Sequence, residues 1–271
     1  MSEGGPDWSL SVVSHGHGGS VRRLLRDCRE HLLPARTEIL LTLNIEEPAE
    51  GLERLWPGAL TIIRNPQPKG FGANHNAALA RARGRFLAAI DPELRLHGNP
   101  FEGLALAFGN ARLGVASTRV VEADGRAADN ARRAPSPLRL LQRYTWGERP
   151  LYDLALSRAQ RVDWVAGLFM AFRADTFRAL NGFDERFFMY CEDADLCLRA
   201  WNAGYEVQVV PAAMVSHRAQ RATRRTLRHL RWHVQSLARL WSAQAYRDFR
   251  QLRLREERRA ARRSARDTQP D

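Results

Sequence analysis

Cysteine is scarce in this 271-residue chain: Cys28, Cys191 and Cys197 make an odd number, and only the last two stand near each other. They indicate neither a zinc knuckle nor a disulfide framework, so a reducing compartment is expected. Long apolar runs are missing as well. No stretch approaches the ~20 consecutive apolar residues that a membrane-spanning helix needs. The opening MSEGGPDWSLSVV is too acidic and too short of apolar length for a signal peptide. A cytoplasmic location is expected. The glycine loops match neither a P-loop nor G-x-G-x-x-G, so no nucleoside-triphosphate hydrolase is implied.

Net charge is also missing from most of the chain. The total is +12, but residues 1–216 hold 26 Lys plus Arg against 25 acids, whereas the segment from His217 onward holds 16 Arg against five acids. A nearly neutral body thus carries a cationic tail, which argues against a nucleic-acid binder built over the whole surface.

The chain is long enough to bury a large core. Leu10–Val13, then the loop SHGHGGS, then Val21, Leu24, Leu25, Cys28 and Leu32 at helical spacing read as strand, glycine loop and helix. Further strands are predicted at Glu38–Leu43, Leu60–Arg64 and in RFLAAI, the last two separated by a glycine- and asparagine-rich loop and an alanine-rich helix. This alternation predicts an α/β fold with a mostly parallel central sheet and flanking helices. Residues 122–150 lack periodicity and read as a long loop or lid. WVAGLFMAF then reads as a strand, RADTFRALNGF as a helix stopped by Asn181-Gly182, LCLRAWNAG as a helix closed by Gly204, and YEVQVVP as a strand. In the tail, Leu227, Leu230, Val234, Leu237 and Trp241 repeat at helical spacing among arginines. Such a helix can dock on the body, pair with a partner, bind nucleic acid or lie on a membrane; beyond Tyr246 a frayed or disordered end is expected.

Three groups could carry chemistry. The run from Gly182 to Tyr205 crowds Asp184, Glu192, Asp193 and Asp195 beside Phe187, Phe188, Met189 and Tyr190. Ionised carboxylates avoid apolar surroundings unless paired, hydrogen-bonded or metal-bound, although an acid at this place also caps ordinary helices. Asp91-Pro92-Glu93 follows RFLAAI at a strand end, where two oxygen ligands can hold Mg²⁺ or Mn²⁺ against a diphosphate; the same tripeptide is also a common helix-start turn. His217 follows the last strand and either completes that metal site or is structural. The loops around His15 and Gly70–Asn76 allow close approach of a nucleotide or phosphate, or are tight strand-to-helix turns.

The segment GLFMAFRADTFRALNGFDERFFMYCEDADLCLRAWNAGYEV resembles the acceptor-side signature of inverting GT-A glycosyltransferases of the family 2 type, especially the bacterial rhamnosyltransferase-like branch. The resemblance runs from about Ser9 to His217. It implies a GT-A catalytic domain over 1–217, with a nucleotide-sugar half (about 1–120), a loop or lid (121–150) and an acceptor half (151–217); composition and periodicity add the expectation of a basic helical membrane-associating extension over 218–271. It implies Asp193 as general base, Asp91, Glu93 and His217 as ligands of a divalent cation, and His15, Asn44, Asn65, Gly70, Phe71, Asn76 and Asp91 on the donor side. Trp164, Gly167, Phe188, Tyr190 and Glu192 are implied on the acceptor side.

The implied donor is a dTDP-sugar or UDP-sugar, and the implied acceptor a lipid-linked saccharide or lipopolysaccharide precursor at the anionic inner face of the membrane, with no nucleic acid involved. Three departures stand out. Glu93 replaces the family's final aspartate, His15-Gly16-His17 replaces a Tyr-Asn pair, and Asn44 or Glu46 stands where an aspartate is usual. A metal-dependent phosphate or sugar-phosphate hydrolase and an Arg-rich nucleic-acid or scaffold-binding protein are the alternatives.

Overall fold

Residues 5–122, 124–137, 139, 158–217 and 227–267 are described by the computed structural model. Its first strand, β1 (Trp8–Ser14), is buried at every position but Val13, and β2 (Thr37–Leu43) is buried throughout. Such unbroken burial is what a strand inside a two-faced sheet requires. β1 lies parallel to β2 and to β4 (Phe86–Ile90), and β2 lies parallel to β3 (Ala59–Arg64). Helix α1 (Gly18–His31) turns Val21, Leu24, Leu25 and Cys28 inward, and α2 (Phe71–Leu79) joins β3 to β4.

Beyond β4 the sheet becomes mixed. After β5 (Leu94–Leu96) and α3 (Pro100–Ala107), β6 (Leu113–Glu122) pairs in parallel with β11 (Glu206–His217). Between β4 and β6 lies β10 (Phe169–Arg173), antiparallel to both. The order is β3-β2-β1-β4-β10-β6-β11-β5, with β8 (Gln160–Arg161) also on β11 and a separate pair formed by β7 (Ala131–Arg132) and β9 (Trp164–Val165). The expected parallel pairing therefore holds the N-terminal half, and an inserted antiparallel strand joins it to the second.

Side chains alternate between two cores, as the two-residue period of a strand dictates. Leu10, Val12, Ile39 and Leu41 pack with α1 and α3 on one face. Leu40, Leu87 and Ala89 pack on the other face with α2, with α5 (Glu192–Asn202), and with residues of the C-terminal helices.

Two expectations need correction here. The run WVAGLFMAF is not one strand: β9 ends at Val165 and β10 starts at Phe169, because Ala166–Leu168 turns the chain toward the site described below. The tail is not frayed beyond Tyr246 either. α6 (Leu227–Ser242) is followed by α7 (Gln244–Asp267), in which Tyr246 and Phe249 are buried. Arg253 pairs with Asp163 and covers the rings of Trp201 and Phe249. Burial of the Tyr246 and Phe249 rings is worth several kcal/mol by area, enough to seat an otherwise arginine-rich helix.

Helix α4 (Ala174–Ala179) does stop at Asn181-Gly182, both left-handed at φ 56° and 61°. The proposed lid at 121–150 falls partly outside the described residues; 124–137 hold only β7 as regular strand.

Candidate active site

The parallel strands end along one edge, so their sheet order sets out a row of polar residues. Asn65 follows β3, Asn44 follows β2, His15 follows β1 and Asp91 follows β4. The carboxyl edge of a parallel sheet is where α/β folds place ligands. Asn44 accepts from the Lys69 backbone N–H (2.8 Å) and from the Asn65 side chain (2.9 Å), and its own amide reaches the Lys69 carbonyl (3.0 Å) and His15 Nδ1 (3.2 Å). Asn65 also donates to Asn74 Oδ1 at 2.6 Å. This half-buried network fixes the 65–70 loop to the strand ends.

Asn74 and Glu47 were not foreseen. Glu47 accepts from Ser14 Oγ (2.8 Å) and from the Gly16 N–H (3.2 Å), bracing the first loop, whereas Glu46 is exposed. The signal available in the sequence was the recurrence of asparagine and acid just beyond successive strands.

Gly70, Phe71 and Asn76, expected on the donor side, contact residues 183–188. Asn76 donates to the Phe183 carbonyl (2.8 Å) and Glu185 Oε1 (3.0 Å) and accepts from the Phe183 N–H (2.9 Å), so both ends of its amide are committed. The Phe71 N–H donates to the Phe188 carbonyl at 3.0 Å, and its ring packs on His75 and Phe183. A Cβ on Gly70 would strike the Phe188 backbone. These three residues are the seam between the two halves of the sheet. His75 beneath them binds Ser11 Oγ through Nδ1 at 2.8 Å, and burial pushes its pKa down to about 3, so it is a neutral packing residue.

Asp91, Glu93 and His217 come together, each offering a ligand atom within 4.8 Å of the others'. The Asp-Pro-Glu tripeptide does not start a helix. Asp91 Oδ1 accepts from the Glu93 N–H (2.7 Å), which leads into β5, and β5 pairs with the end of β11 so that His217 stands opposite Leu94. Two carboxylates and an imidazole are a fitting donor set for Mn²⁺ or Mg²⁺, with Glu93 able to serve despite its extra methylene.

The carboxylate crowd separates into two kinds. Asp184 is clamped by Arg186 through Nε and Nη2, and although burial works to raise its pKa, those hydrogen bonds hold it below the usual range. Asp195 pairs with Arg199 (2.7 Å), which also donates to the carbonyls of Leu180 and Gly182 and so ties α5 to the end of α4. Glu192 and Asp193 take backbone N–H groups instead.

Asp193 Oδ2 accepts from the Gly167 N–H (2.9 Å) and Oδ1 from the Ala194 N–H (2.8 Å). Burial lifts its pKa above the ordinary aspartate value, while those two donors and the charge of Arg132 oppose the rise. Glu192 is 5% exposed, its Oε2 has no hydrogen-bond partner, and burial together with the neighbouring Asp193 pushes its pKa well up. Burial is opposed more strongly at Asp193, which takes the Gly167 and Ala194 N–H groups and feels the charge of Arg132, than at Glu192, which has only its own backbone N–H. All three cysteines are free, and burial raises each thiol's pKa, so none is a ready thiolate.

The turn Ala166–Leu168 connects the two groups. Its Gly167 N–H holds Asp193, and the next residue's carbonyl, Leu168, accepts from the Asp91 N–H at 2.9 Å. A Cβ at Gly167 would collide with the Phe71 ring, so the close approach requires glycine. Trp164 is not an open acceptor wall: it is 8% exposed, donates to the Arg133 carbonyl (2.9 Å) and lies under the Arg132 guanidinium.

Phe188, 41% exposed, packs on Trp232 of α6. Tyr190 Oη meets His229 Nδ1 at 2.7 Å, and its ring faces His233. Ser236 of α6 donates to the Met189 carbonyl at 2.8 Å. The contribution of α6 to this wall was not legible, since its histidines and Trp232 sit on the polar flank of the apolar stripe. Tyr190 and Cys191 are both left-handed (φ 72° and 67°), a costly pair of conformations for residues with side chains, immediately before Glu192 and Asp193.

Residues 43–261 match the model of the family described as glycosyltransferase like family 2. Rhamnosyltransferase WbbL of Escherichia coli K12 is 27% identical over 245 residues, covering 84% of this chain and 89% of that protein. The N-acetylglucosaminyl-diphospho-decaprenol L-rhamnosyltransferase of Mycobacterium tuberculosis is 31% identical over 135 residues, 46% of this chain and 44% of the relative. Among solved structures, GalNAc-T7 with UDP, GalNAc and Mn²⁺ aligns with a TM-score of 0.62 at 18% identity, over 79% of this chain and 43% of that one. The mannosyltransferase PcManGT of Pyrobaculum calidifontis with GDP-Man and Mn²⁺ aligns with a TM-score of 0.57 at 17% identity, over 86% of this chain and 64% of that one. The family match over most of the chain and the likeness in fold make this protein a member of glycosyltransferase family 2 with a GT-A fold.

Proposed function

We propose that the chain is an inverting glycosyltransferase that moves a sugar, rhamnose as in the relatives, from a dTDP-sugar or UDP-sugar to a lipid-linked saccharide or lipopolysaccharide precursor. The observation that carries this reading is the Ala166–Leu168 turn, which ties Asp193 to Asp91 through consecutive residues. Asp193 then takes the proton of an acceptor hydroxyl as its oxygen attacks the anomeric carbon, and the nucleoside diphosphate leaves from the opposite side. One base suffices, because attack is direct and no glycosyl-enzyme forms. Asp91, Glu93 and His217 would hold Mg²⁺ or Mn²⁺, which neutralises charge developing on the departing diphosphate. Asn44 and Asn65 keep the donor loop in place, and burial beside Asp193 raises the Glu192 pKa, which disfavours a second negative charge next to the base.

The acceptor's location follows from α6. Leu227, Leu230 and Val234 are 86%, 57% and 58% exposed on one helical face, with Arg228 and Arg231 beside them. No helix among the described residues is long and apolar enough to cross a membrane. An apolar stripe flanked by arginines suits the interface of an anionic bilayer, which supports a peripheral enzyme on the inner face. Leu240, Tyr246 and Phe249 are buried against the body, so point variants test this and deletion of the tail does not. Leu230→Glu is expected to weaken binding to phosphatidylglycerol vesicles about tenfold by flotation, at unchanged melting temperature; equal binding contradicts it.

The function itself is tested by nucleoside diphosphate release from a panel of nucleotide sugars with Mn²⁺. The expected result is turnover that rises sharply when a prenyl-diphosphate-linked saccharide is added. Release that ignores the acceptor would instead mark a hydrolase.

A further inference from the structure

Between α6 and the loop at 186–188 lies a groove of about 570 Å³ that no step above uses. Its walls bring together Arg186, Arg239, Gln235, Phe188 and Trp232. Arg186 commits Nε and Nη2 to Asp184, yet its side chain stays 72% exposed. Arg239 lies over the edge of the buried Phe187 ring and is itself exposed. The rings of Phe188 and Trp232 meet at 4.9 Å with a 41° tilt and form an aromatic wall. Two guanidiniums, an amide and an aromatic wall are a donor set for a phosphorylated sugar: the guanidinium forks match phosphate oxygens, and a pyranose face packs on an aromatic ring.

The position of the groove narrows the ligand further. Phe188 at its rim bonds the donor-side loop through Phe71, and three residues on, the left-handed Cys191 leads into Glu192 and Asp193. The exposed apolar residues Leu227, Leu230 and Val234 belong to the same helix that supplies Trp232, Gln235 and Arg239.

We infer that this groove binds the diphosphoryl-sugar headgroup of the acceptor, with the diphosphate on Arg186 and Arg239 and the sugar against Phe188 and Trp232. The inference rests on the lipid-linked acceptor proposed above. α6 is then part of the acceptor site as well as the membrane-facing element, and Arg186 and Arg239 determine acceptor specificity.

The test titrates the full chain with geranyl diphosphate in EDTA, which keeps metal-dependent donor-site binding out of the signal, and follows tryptophan fluorescence. Arg239→Gln and Gln235→Glu, both at exposed helical positions, are each expected to weaken binding about tenfold, the scale of one charge-assisted hydrogen bond. In transfer assays both variants should raise KM for a prenyl-diphosphate-linked saccharide while leaving donor KM and melting temperature unchanged. Unaltered affinity in both variants, or no binding by the wild type, overturns the inference. Vesicles of phosphatidylglycerol separate the acceptor from the bilayer: variants that bind them as the wild type does support a headgroup site, and variants that lose vesicle binding in parallel reassign the groove to general lipid contact. Geranyl diphosphate binding without any sugar transfer keeps the site and removes the enzymatic reading. Transfer that ignores both substitutions does the reverse.

Discussion

The two halves of the sheet organise polar groups in opposite ways. On the donor side, Asn44, Asn65 and Asn74 satisfy one another and the 69–70 backbone, so the strand ends are held by neutral amides in a closed network. On the acceptor side, Glu192 and Asp193 are carboxylates carried into low-polarity surroundings, one with a buried oxygen that has no partner. Amides can be buried cheaply once paired, so they serve as scaffold; a buried carboxylate is costly, and its retention marks the place where charge has work to do. The seam of Gly70, Phe71, Asn76 and Gly167 joins the two, which is why glycine and asparagine are needed there.

The comparison breaks first at the base. Asp193→Asn is expected to lower kcat by about 10³-fold with donor affinity and melting temperature unchanged, measured by diphosphate release and donor titration. Normal turnover would remove Asp193 from the reaction. Next comes Glu93→Ala, expected to weaken metal-dependent donor binding by about ten- to a hundredfold, since one of three ligands is lost. An unchanged Mn²⁺ dependence contradicts that assignment.

On the scaffold side the effect should fall on stability. Asn65→Ala strips Asn44 Oδ1 and Asn74 Oδ1 of a donor, and a loss of about 1–3 kcal/mol in denaturant unfolding is expected, with kcat much less affected than in Asp193→Asn. The smallest effect expected is a shift in pH profile. With Asp193 as the base, activity is expected to rise with pH through its raised pKa. Arg132 favours the anion, so Arg132→Gln should move that acid limb to higher pH, whereas a limb that stays in place removes Arg132 from the electrostatics of the base.

Legibility in the sequence followed the same division. The carboxylate run was conspicuous because acids among aromatics stand out in the linear chain, and Asp91, Glu93 and His217, distant in sequence, do come together. Strand order was half readable: β1 to β4 alternate with helices, but β10 reverses direction inside one apolar run, and periodicity alone does not show a strand's direction. The contacts of Asn76 and Phe71 with residues 183–188 were not foreseen, because a glycine-rich loop looks the same whether a ligand or another stretch of backbone approaches it. The docking of α7 was hidden by its arginines. Tyr246, Phe249 and the pairing of Arg253 with Asp163 anchor it, and two aromatics in a cationic run carry little sequence signal.

The most direct measurement of the central claim, a single base at Asp193 acting opposite a departing diphosphate, is the anomeric configuration of the product by NMR. The account predicts a glycosidic bond of configuration opposite to that of the nucleotide sugar. A product that retains the donor's configuration would require a glycosyl-enzyme or front-face route and would contradict it.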